Sequence, residues 1–434
     1  MHRFKDFILP SIVLTILLGL TISFSEPASI SGTDHSMASI QPKKMTIDPK
    51  EEALYHWQQQ ELEAAVKSYF KKAIASGDIV GAGVSIVRGD SIVISQGFGK
   101  RNSKMDKEVD GQTIFRLGSL SKGFAGILAA KIIQEGALHR EDKVSTYIPD
   151  FQLGDSKNTD KVTLAHILSH TSGAPYHSFT NLVEAGLPLS TIAERFKEVH
   201  PISAPGTLYS YQNALFALSG EMIYRATGQD IATSLDNKFF KPLEMCSTTM
   251  DYKSLGHAIN VAMPHYKSRY GWRPKKLNDH YYNAIAAGGI SASAEDMGKW
   301  MRFILGHNPE VMSTSAISEA FKPVIEIKGR SKYYQRWDGH VSSAYGFGWR
   351  IHKFVEDSSA QEKTIWHHGG SVNNYRNEIA IYPEADLGIC VLLNSNSRLA
   401  TKVIPDLYKI VQEVYAQNTT HVASTNFSPG NPDY

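Results

Sequence analysis

The fold is decided at residues 115–130, where the chain reads FRLGSLSKGFAGILAA. This stretch begins with strand-like residues that end at Gly118, and it continues with Ala, Leu and Ile at helical spacing to about Gly136. The pattern predicts a helix that is apolar enough to be buried. Ser119 lies at the start of this helix, and Lys122 follows three residues later on the same face.

The pair Ser119 and Lys122 has a chemical use. A serine hydroxyl is a poor nucleophile until its proton is removed, and a lysine in an apolar setting can lose its own proton and act as the base. The helix N-terminus adds backbone N–H groups where an oxyanion would form. The spacing therefore predicts acyl transfer at Ser119. The alternative is an ordinary N-cap serine with an exposed lysine. Ser121 also precedes the helix, but no lysine lies three residues beyond it.

Composition limits the classes of function. The 434 residues can bury one large core or two smaller ones, and a net charge of +2 gives no overall basic surface for nucleic acid. Two cysteines, Cys246 and Cys390, do not form a disulfide framework. We expect both to be buried thiols, with a single bridge between them as the alternative.

The N-terminus predicts export. Residues 1–5 are basic, residues 8–24 are apolar, and small residues precede Glu26, which is typical of a signal peptide over residues 1–25. The alternative is an uncleaved membrane anchor, because the apolar run is nearly long enough to span a bilayer. We therefore expect a periplasmic or secreted protein, with a membrane-anchored protein that has an exported catalytic domain as the alternative.

The remaining chain divides into three predicted parts. Residues 26–49 are polar and Ser-rich, which predicts a flexible linker, and residues 418–434 are predicted to be a disordered tail. Residues 50–417 form the predicted catalytic domain, with strands and helices at both ends and helices in between. The predicted elements at the two ends are a helix over 49–76, strands over 82–87, 91–98, 345–354, 363–368, 375–382 and 387–393, and a final helix over 399–416. This order predicts an α+β fold, in which both ends complete one antiparallel sheet around an inserted all-helical lobe.

Two further stretches carry side chains suited to a cleft. Tyr211 and Asn213 precede a helix predicted from Ala214 to about Thr227, and a tyrosine beside a lysine ammonium can have its pKa lowered and act as a base. A core tyrosine with a capping asparagine is the alternative. A short helix from Thr163 to Gly173 carries His166 and His170, which we interpret as packing and hydrogen-bonding residues and not as metal ligands.

Near the C-terminus the chain reads WHHGGS at residues 366–371. Two glycines at a strand edge let a substrate backbone approach closely, so His368 could face the cleft as a donor and the N–H of Ser371 could face an oxyanion. A plain turn at the strand end is the alternative. Basic and aromatic residues also cluster at 265–282 and 328–337, and near-zero net charge favours interpreting both clusters as solvated loop rims.

Three motifs in this order resemble the active site of the penicillin-recognising serine hydrolases. They are Ser119-x-x-Lys122, Tyr211-x-Asn213 and His368-Gly369-Gly370. The resemblance covers about residues 60–416 and is closest to class C β-lactamases, D-alanyl-D-alanine carboxypeptidases and related esterases. Further matches in the same order are Leu168-Ser169-His170-Thr171-Ser172-Gly173, Pro205-Gly206-Thr207, Ala287-Gly288-Gly289 and Tyr345-Gly346-Phe347-Gly348-Trp349.

The resemblance implies a role for each matching residue. Ser119 would be the acylated nucleophile, Lys122 its charge partner, and Tyr211 the base and later the acid. The residues implied in substrate binding are Asn213, His368, Gly370 and Ser371. Asn213 would hold a substrate amide, and the backbone N–H groups of Ser371 and Ser119 would form the oxyanion hole. The resemblance implies no metal or cofactor.

Two departures bear on the substrate. His368 stands where β-lactamases have lysine, and Arg116 stands where class C enzymes usually carry an acidic residue. Both favour a peptidase, amidase or esterase, which would act through an acyl-enzyme on D-amino-acid peptides, β-lactams or small esters. The alternatives are a true class C-like β-lactamase and a penicillin-binding or sensor protein without turnover. The expected partner is a small-molecule or peptidoglycan-derived substrate, with no nucleic acid; membrane association would require the uncleaved N-terminal segment, and the oligomeric state stays open.

Overall fold

The computed structural model describes residues 49–356 and 361–416. The predicted signal peptide and tail, and all of the predicted linker except Pro49, lie outside these residues. Helices α1 to α14 span, in chain order, Pro49–Ala75, Ser121–Gln134, Val144–Tyr147, Ser156–Thr159, Leu164–Leu168, Thr180–Glu184, Leu189–Arg195, Asn213–Thr227, Ile231–Leu235, Tyr252–His257, Ile285–Gly288, Ala294–Ile304, Thr314–Ala320 and Val403–Ala416. Strands β1 to β12 span Gly81–Arg88, Ser91–Gly99, Phe115–Arg116, His265–Ser268, Gly271–Pro274, Ser291–Ala292, Ile325–Glu326, His340–Tyr345, Arg350–Val355, Glu362–Val372, Tyr375–Tyr382 and Leu387–Leu393.

An eight-stranded antiparallel sheet joins the two ends of the described chain. The strand order is β2-β1-β12-β11-β10-β9-β8-β7, so that β1 near the start pairs with β12 near the end. Every residue of β12 is buried, because the strand lies inside the sheet with both faces covered. The prediction of one sheet completed by both ends is confirmed.

Successive residues of β12 pack into two separate cores on opposite faces of the sheet. Ile389 and Val391 pack with Leu62 and Phe70 of α1 and with α14, whereas Cys390 and Leu392 pack with the helices on the other face. This alternation follows from the two-residue period of a strand. Helix α1 buries Leu62, Val66, Phe70 and Ala73, at spacings of three to four residues, against this sheet.

The inserted lobe lies between β2 and β7 in the chain and is mostly helical, as predicted. Helix α2 is buried along nearly its whole length and contacts α8, α11 and α13. Its Phe124 stacks on Trp300 of α12 with ring centroids 4.2 Å apart. Because α2 is apolar on all sides, it is buried between the sheet and the other helices of the lobe. This position fixes Ser119 at the start of α2.

Three local predictions were wrong. Residues 345–354 form two strands instead of one, because a turn containing Gly348, with φ of 73°, separates β8 from β9. Strand β10 continues through Gly369 and Gly370 to Val372 instead of ending at His368. Cys246 is exposed, and only Cys390 is a buried thiol.

Two features are absent from the part of the chain that the structure describes. None of its helices combines the length and apolar character needed to cross a bilayer. No cluster of three or more His, Cys, Asp or Glu side chains in that part is arranged to hold a metal ion.

Candidate active site

Ser119 lies in a single 3₁₀ turn, Gly118–Leu120, between β3 and α2. Gly118 has φ of +57°, in the left-handed region that favours glycine. A Cβ atom added to Gly118 would lie 2.9 Å from the backbone nitrogen of Ser371 on β10. The missing side chain therefore allows β10 to approach the turn that carries the candidate nucleophile.

Replacing Gly118 tests this close approach. We expect Gly118→Ala to lower the free energy of unfolding by about 3 kcal/mol, because it adds a clash with β10 to the cost of the left-handed backbone. Gly228→Ala is the matched control, since Gly228 has φ of +74° and no atom within 4 Å of the added Cβ. That variant should lose only about 1–2 kcal/mol. Equal losses in urea unfolding would contradict the proposed contact between β10 and the turn.

Lys122 is the second residue of α2 and is fully buried. Its Nζ lies 3.3 Å from Ser119 Oγ, 2.8 Å from Asn213 Oδ1 and 2.7 Å from the carbonyl oxygen of Ala287. Burial lowers the pKa of Lys122 well below its usual value, and the positive charge of Arg350 lowers it further. Burial therefore favours the neutral amine form of Lys122 beside the serine.

Tyr211 lies just before α8, and its O–H donates to Ser119 Oγ at 2.9 Å. Burial raises the pKa of Tyr211 to about 12, although the hydrogen bond with Ser119 acts in the opposite direction. The expected lowering of this pKa was therefore wrong. It assumed a neighbouring ammonium, whereas burial of the phenol is the largest influence on this pKa, and burial also disfavours the charged form of Lys122.

Asn213 is the first residue of α8 instead of a loop residue. Its Oδ1 accepts from Lys122, and its Nδ2 donates to the hydroxyl of Tyr281 at 3.2 Å. Both ends of the amide therefore have protein partners. In this structure Asn213 positions the Lys122 amine. Its role in holding a substrate amide stays a prediction.

His368 on β10 is buried, with 1% of its surface exposed. Its Nδ1 lies 2.8 Å from the carbonyl oxygen of Gly369, and its Nε2 lies 3.0 Å from the hydroxyl of Tyr345. Burial, followed by the charge of Arg350, lowers its pKa well below the usual value, so the ring is neutral. The prediction that His368 faces the cleft as a free donor was wrong, because both ring nitrogens already have partners.

The hydroxyl of Tyr345 links His368 to a second buried histidine. His170 Nε2 lies 3.2 Å from this hydroxyl, and His170 Nδ1 accepts from the backbone N–H of Gln212 at 3.1 Å. Helix α5 ends at Leu168 instead of at Gly173, so His170 lies outside the helix, with φ of 61°. The interpretation of His170 as a hydrogen-bonding residue agrees with these contacts, which hold the loop before Tyr211 in place.

Gly370 and Ser371 lie where β10 passes the nucleophile turn. A Cβ atom added to Gly370 would lie 2.1 Å from the carbonyl oxygen of Leu117, so only glycine allows this approach. Ser371 is exposed. Arg116, which departs from the class C pattern, is buried and donates to the backbone carbonyl of Asn278 at 2.9 Å, so it fixes a loop instead of facing a substrate.

The sequence analysis missed a group of residues beside this site. Arg350 follows the Tyr345–Trp349 motif directly, and Lys332, Tyr333 and Tyr334 come from the second basic cluster. These four side chains line a cavity that also reaches Tyr211 and Gly369. The interpretation of the 328–337 cluster as a solvated rim was therefore wrong for Tyr334, which is buried, and incomplete for its neighbours.

Comparison with known proteins gives relatives across most of the chain. The family model described as Beta-lactamase matches residues 66–410. Protein flp of Staphylococcus aureus (strain NCTC 8325 / PS 47) is 25% identical over 356 residues, which are 80% of this chain and 66% of flp. Unguisins hydrolase ungD' of Aspergillus campestris is 24% identical over 75% of this chain and 60% of that protein. The chain thus spans slightly less than two thirds of the length of these relatives.

Two solved structures share the fold. The penicillin-binding protein homologue from Pyrococcus abyssi superposes with a TM-score of 0.68 at 24% identity, over 80% of this chain and 77% of its own. The hydrolase EstCE1, described as having promiscuous acyltransferase activity, also gives 0.68, at 18% identity, over 81% of this chain and 99% of its own. Because the family model extends across the sheet, the helical lobe and the surroundings of Ser119, the chain belongs to the beta-lactamase family.

Proposed function

We propose that this protein is an exported serine hydrolase that forms an acyl-enzyme on Ser119. Its substrates would be D-amino-acid peptides, β-lactams or small esters, as for a D-alanyl-D-alanine carboxypeptidase or a related esterase. The observation that carries the proposal is the pair of groups on Ser119 Oγ: the Lys122 amine at 3.3 Å and the Tyr211 hydroxyl at 2.9 Å. A serine with both a base and an acid in reach has what acyl transfer needs.

The hydrogen bonds around Lys122 support its role as the base. A neutral amine has two N–H donors and one lone pair. The side-chain oxygen of Asn213 accepts one N–H at 2.8 Å, and the backbone carbonyl oxygen of Ala287 accepts the other at 2.7 Å. The lone pair is then left for the hydroxyl proton of Ser119, whose oxygen accepts from Tyr211. This arrangement draws the proton of Ser119 toward Lys122.

The proposed acylation has two steps, with one proton transfer in the first and two in the second. Ser119 Oγ attacks the substrate carbonyl, and its proton passes to Lys122 Nζ. When the bond to the leaving group breaks, Tyr211 gives its proton to the leaving atom, and the proton held by Lys122 replaces it. Water then attacks the acyl-enzyme in the same way and releases the acid. The N–H groups of Ser119 and Ser371 would stabilise the oxyanion in both steps.

Tyr211→Phe tests the role of the phenol. Removing the donor at 2.9 Å from Ser119 Oγ should lower kcat/KM by about 10²-fold, a typical contribution of a positioned acid or base. The loss should be smaller for an ester with a p-nitrophenolate leaving group, because that group departs without a proton. An equal loss for esters with good and poor leaving groups in steady-state assays would argue against Tyr211 as the acid.

Intact-mass spectrometry tests the acyl-enzyme. The purified protein would be exposed to a small panel of β-lactams, D-Ala-D-Ala peptides and p-nitrophenyl esters. We expect a mass increase equal to the acyl group of at least one compound, located on the peptide that contains Ser119. The absence of any adduct, with no hydrolysis of any compound, would refute the proposed function.

The same panel separates the two alternatives. A true β-lactamase would turn over a chromogenic cephalosporin rapidly in the steady state after the burst. A penicillin-binding or sensor protein would be labelled durably by a fluorescent penicillin without releasing product. The proposed peptidase or esterase would release product from D-Ala-D-Ala peptides or small esters faster than from either β-lactam.

A further inference from the structure

A cavity of about 260 Å³ opens beside the candidate active site. Tyr211 and Gly369 form its inner wall, and Tyr176, Tyr209, Tyr333 and Tyr334 form much of the remainder. Three cationic side chains, Lys332, Arg350 and Arg376, also line it. A small cavity with three converging positive charges next to a nucleophile is suited to an anionic part of a substrate.

Arg350 carries buried donors that no protein acceptor satisfies. Its Nε and Nη1 atoms are inaccessible to solvent and have no hydrogen-bond partner. The guanidinium carbon lies 4.9 Å from the centre of the Tyr334 ring, and this cation–π contact partly stabilises the charge. The ring does not accept a hydrogen bond from Nε or Nη1. Burying charged donors without acceptors is costly, and Arg350 is only half-buried and lines the cavity, so an anion in the cavity could offset this cost by binding the accessible side of the guanidinium.

The cavity holds more positive than negative charge. Arg376 Nη2 lies 3.3 Å from Glu378 Oε1, while Glu378 Oε2 accepts from the Tyr333 hydroxyl at 2.7 Å and lies 2.9 Å from His367 Nε2. Among the residues that the structure describes, Lys332 and Arg350 form no ion pair. One carboxylate is thus set against three cations, and two positive charges stay uncompensated.

The position of Tyr211 decides which part of the substrate the cavity would take. Tyr211 donates to Ser119 on one side and lines the cavity on the other. In the proposed reaction the leaving group receives its proton from Tyr211, so it must lie against that side chain. The group that departs would therefore extend into the cavity, and the acyl group would stay outside it.

We infer that the cavity binds a doubly charged anionic group on the leaving part of the substrate, either two carboxylates or a phosphate monoester, through Arg350, Arg376 and Lys332. This inference rests on the proposed function. It also assigns the recognition of negative charge to residues other than His368, whose ring nitrogens are both occupied. The neighbouring tyrosine hydroxyls can add neutral donors to the anion.

A series of thioesters with one acyl group tests the inference. The acyl group would be N-benzoyl-D-alanyl, and the leaving thiols would be mercaptosuccinic diamide, its monoamide and mercaptosuccinate, which differ in charge but little in shape. A fourth thioester, of 2-mercaptoethyl phosphate, separates phosphate from carboxylate. We expect kcat/KM for the dicarboxylate to exceed that for the diamide by about 100-fold, with the monoamide in between, because each hydrogen-bonded charge contributes about tenfold or more.

Two variants connect this preference to the cavity. Arg350→Gln should reduce the preference for the dicarboxylate over the diamide to less than about tenfold, and Lys332→Gln, at an exposed position, should reduce it by about threefold. Lys332→Arg should restore it. Arg273→Gln is the matched control, since Arg273 is exposed and does not line the cavity, and it should leave the preference unchanged.

The outcomes separate this inference from the function on which it rests. If no thioester is hydrolysed and none forms an adduct at Ser119, both are refuted. If the thioesters are hydrolysed without regard to charge, or if Lys332→Gln and a folded Arg350→Gln keep the full preference, only the inference is refuted. Equal rates for the monoamide and the dicarboxylate would refute the double charge.

Discussion

Ser119→Ala should lower kcat/KM by about 10⁴-fold or more and abolish every covalent adduct, because the variant removes the only atom that the proposed reaction acylates. Ser119 is half-buried at the start of α2, and its side chain contacts Lys122 and Tyr211. Removing its oxygen leaves the base and the acid in place but without a nucleophile. Intact-mass spectrometry and single-turnover hydrolysis of the best panel compound measure the effect.

Ser121→Ala is the matched control. Ser121 is buried two residues away, and its Oγ accepts from the backbone N–H of Ile290 at 3.1 Å. Its loss should lower the free energy of unfolding by about 1–2 kcal/mol, since that N–H is left without its partner. The folded variant should still be acylated. An adduct on Ser119→Ala, or none on a folded Ser121→Ala, would contradict the assignment of the nucleophile.

Lys122→Met should lower kcat/KM by about 10³-fold, because Ser119 then has no base, while a methionine of similar length fills the same space. The wild-type kcat/KM should rise with pH as Lys122 loses its proton. Since burial lowers the pKa of Lys122 well below 10.5, this rise should be centred well below that pH. The methionine variant should lack the rise. Lys131→Met, on the same helix, should keep it, because Lys131 pairs only with Glu135 near the surface.

The same pKa makes a second prediction, about stability. Unfolding exposes Lys122 to water, where its pKa returns to about 10.5, so the unfolded state binds more protons than the folded state at pH values between the lowered pKa and 10.5. The free energy of unfolding of the wild type should therefore rise with pH, relative to that of Lys122→Met, up to about pH 10.5. Urea unfolding at several pH values measures this difference. A difference that does not change with pH would contradict the burial of a neutral amine.

The sequence predicted best where one periodic pattern decided the structure. Strands β11 and β12 have the predicted bounds, and the apolar run after Ser119 forms the buried helix α2. These segments are long, strongly apolar and ended by turn residues, so neighbouring elements could not override them. The structure brings Lys122 and Tyr211 to Ser119. The order of the three motifs predicted this meeting of distant segments only through the resemblance to a family.

The sequence failed where contacts between distant segments decide what a side chain does. His368 was expected to face the cleft, but Tyr345 and the carbonyl of Gly369 occupy its nitrogens. Asn213 was assigned to the substrate, and its contact with Lys122 was not predicted. Arg350 directly follows a motif that had been recognised, yet its unpaired guanidinium appears only once β9 is placed beside the loop that carries Tyr334. No spacing within one segment encodes these partners.

The protonation state of Lys122 tests the central claim most directly. The ¹³Cε resonance of Lys122, assigned by its absence in Lys122→Met, would be followed by NMR across the pH range in which the enzyme is folded. We predict that it titrates well below 10.5 and reports a neutral amine at the pH where kcat/KM reaches its plateau. A resonance that titrates near 10.5, in an enzyme that is fully active at pH 7, would contradict the account of how Ser119 loses its proton.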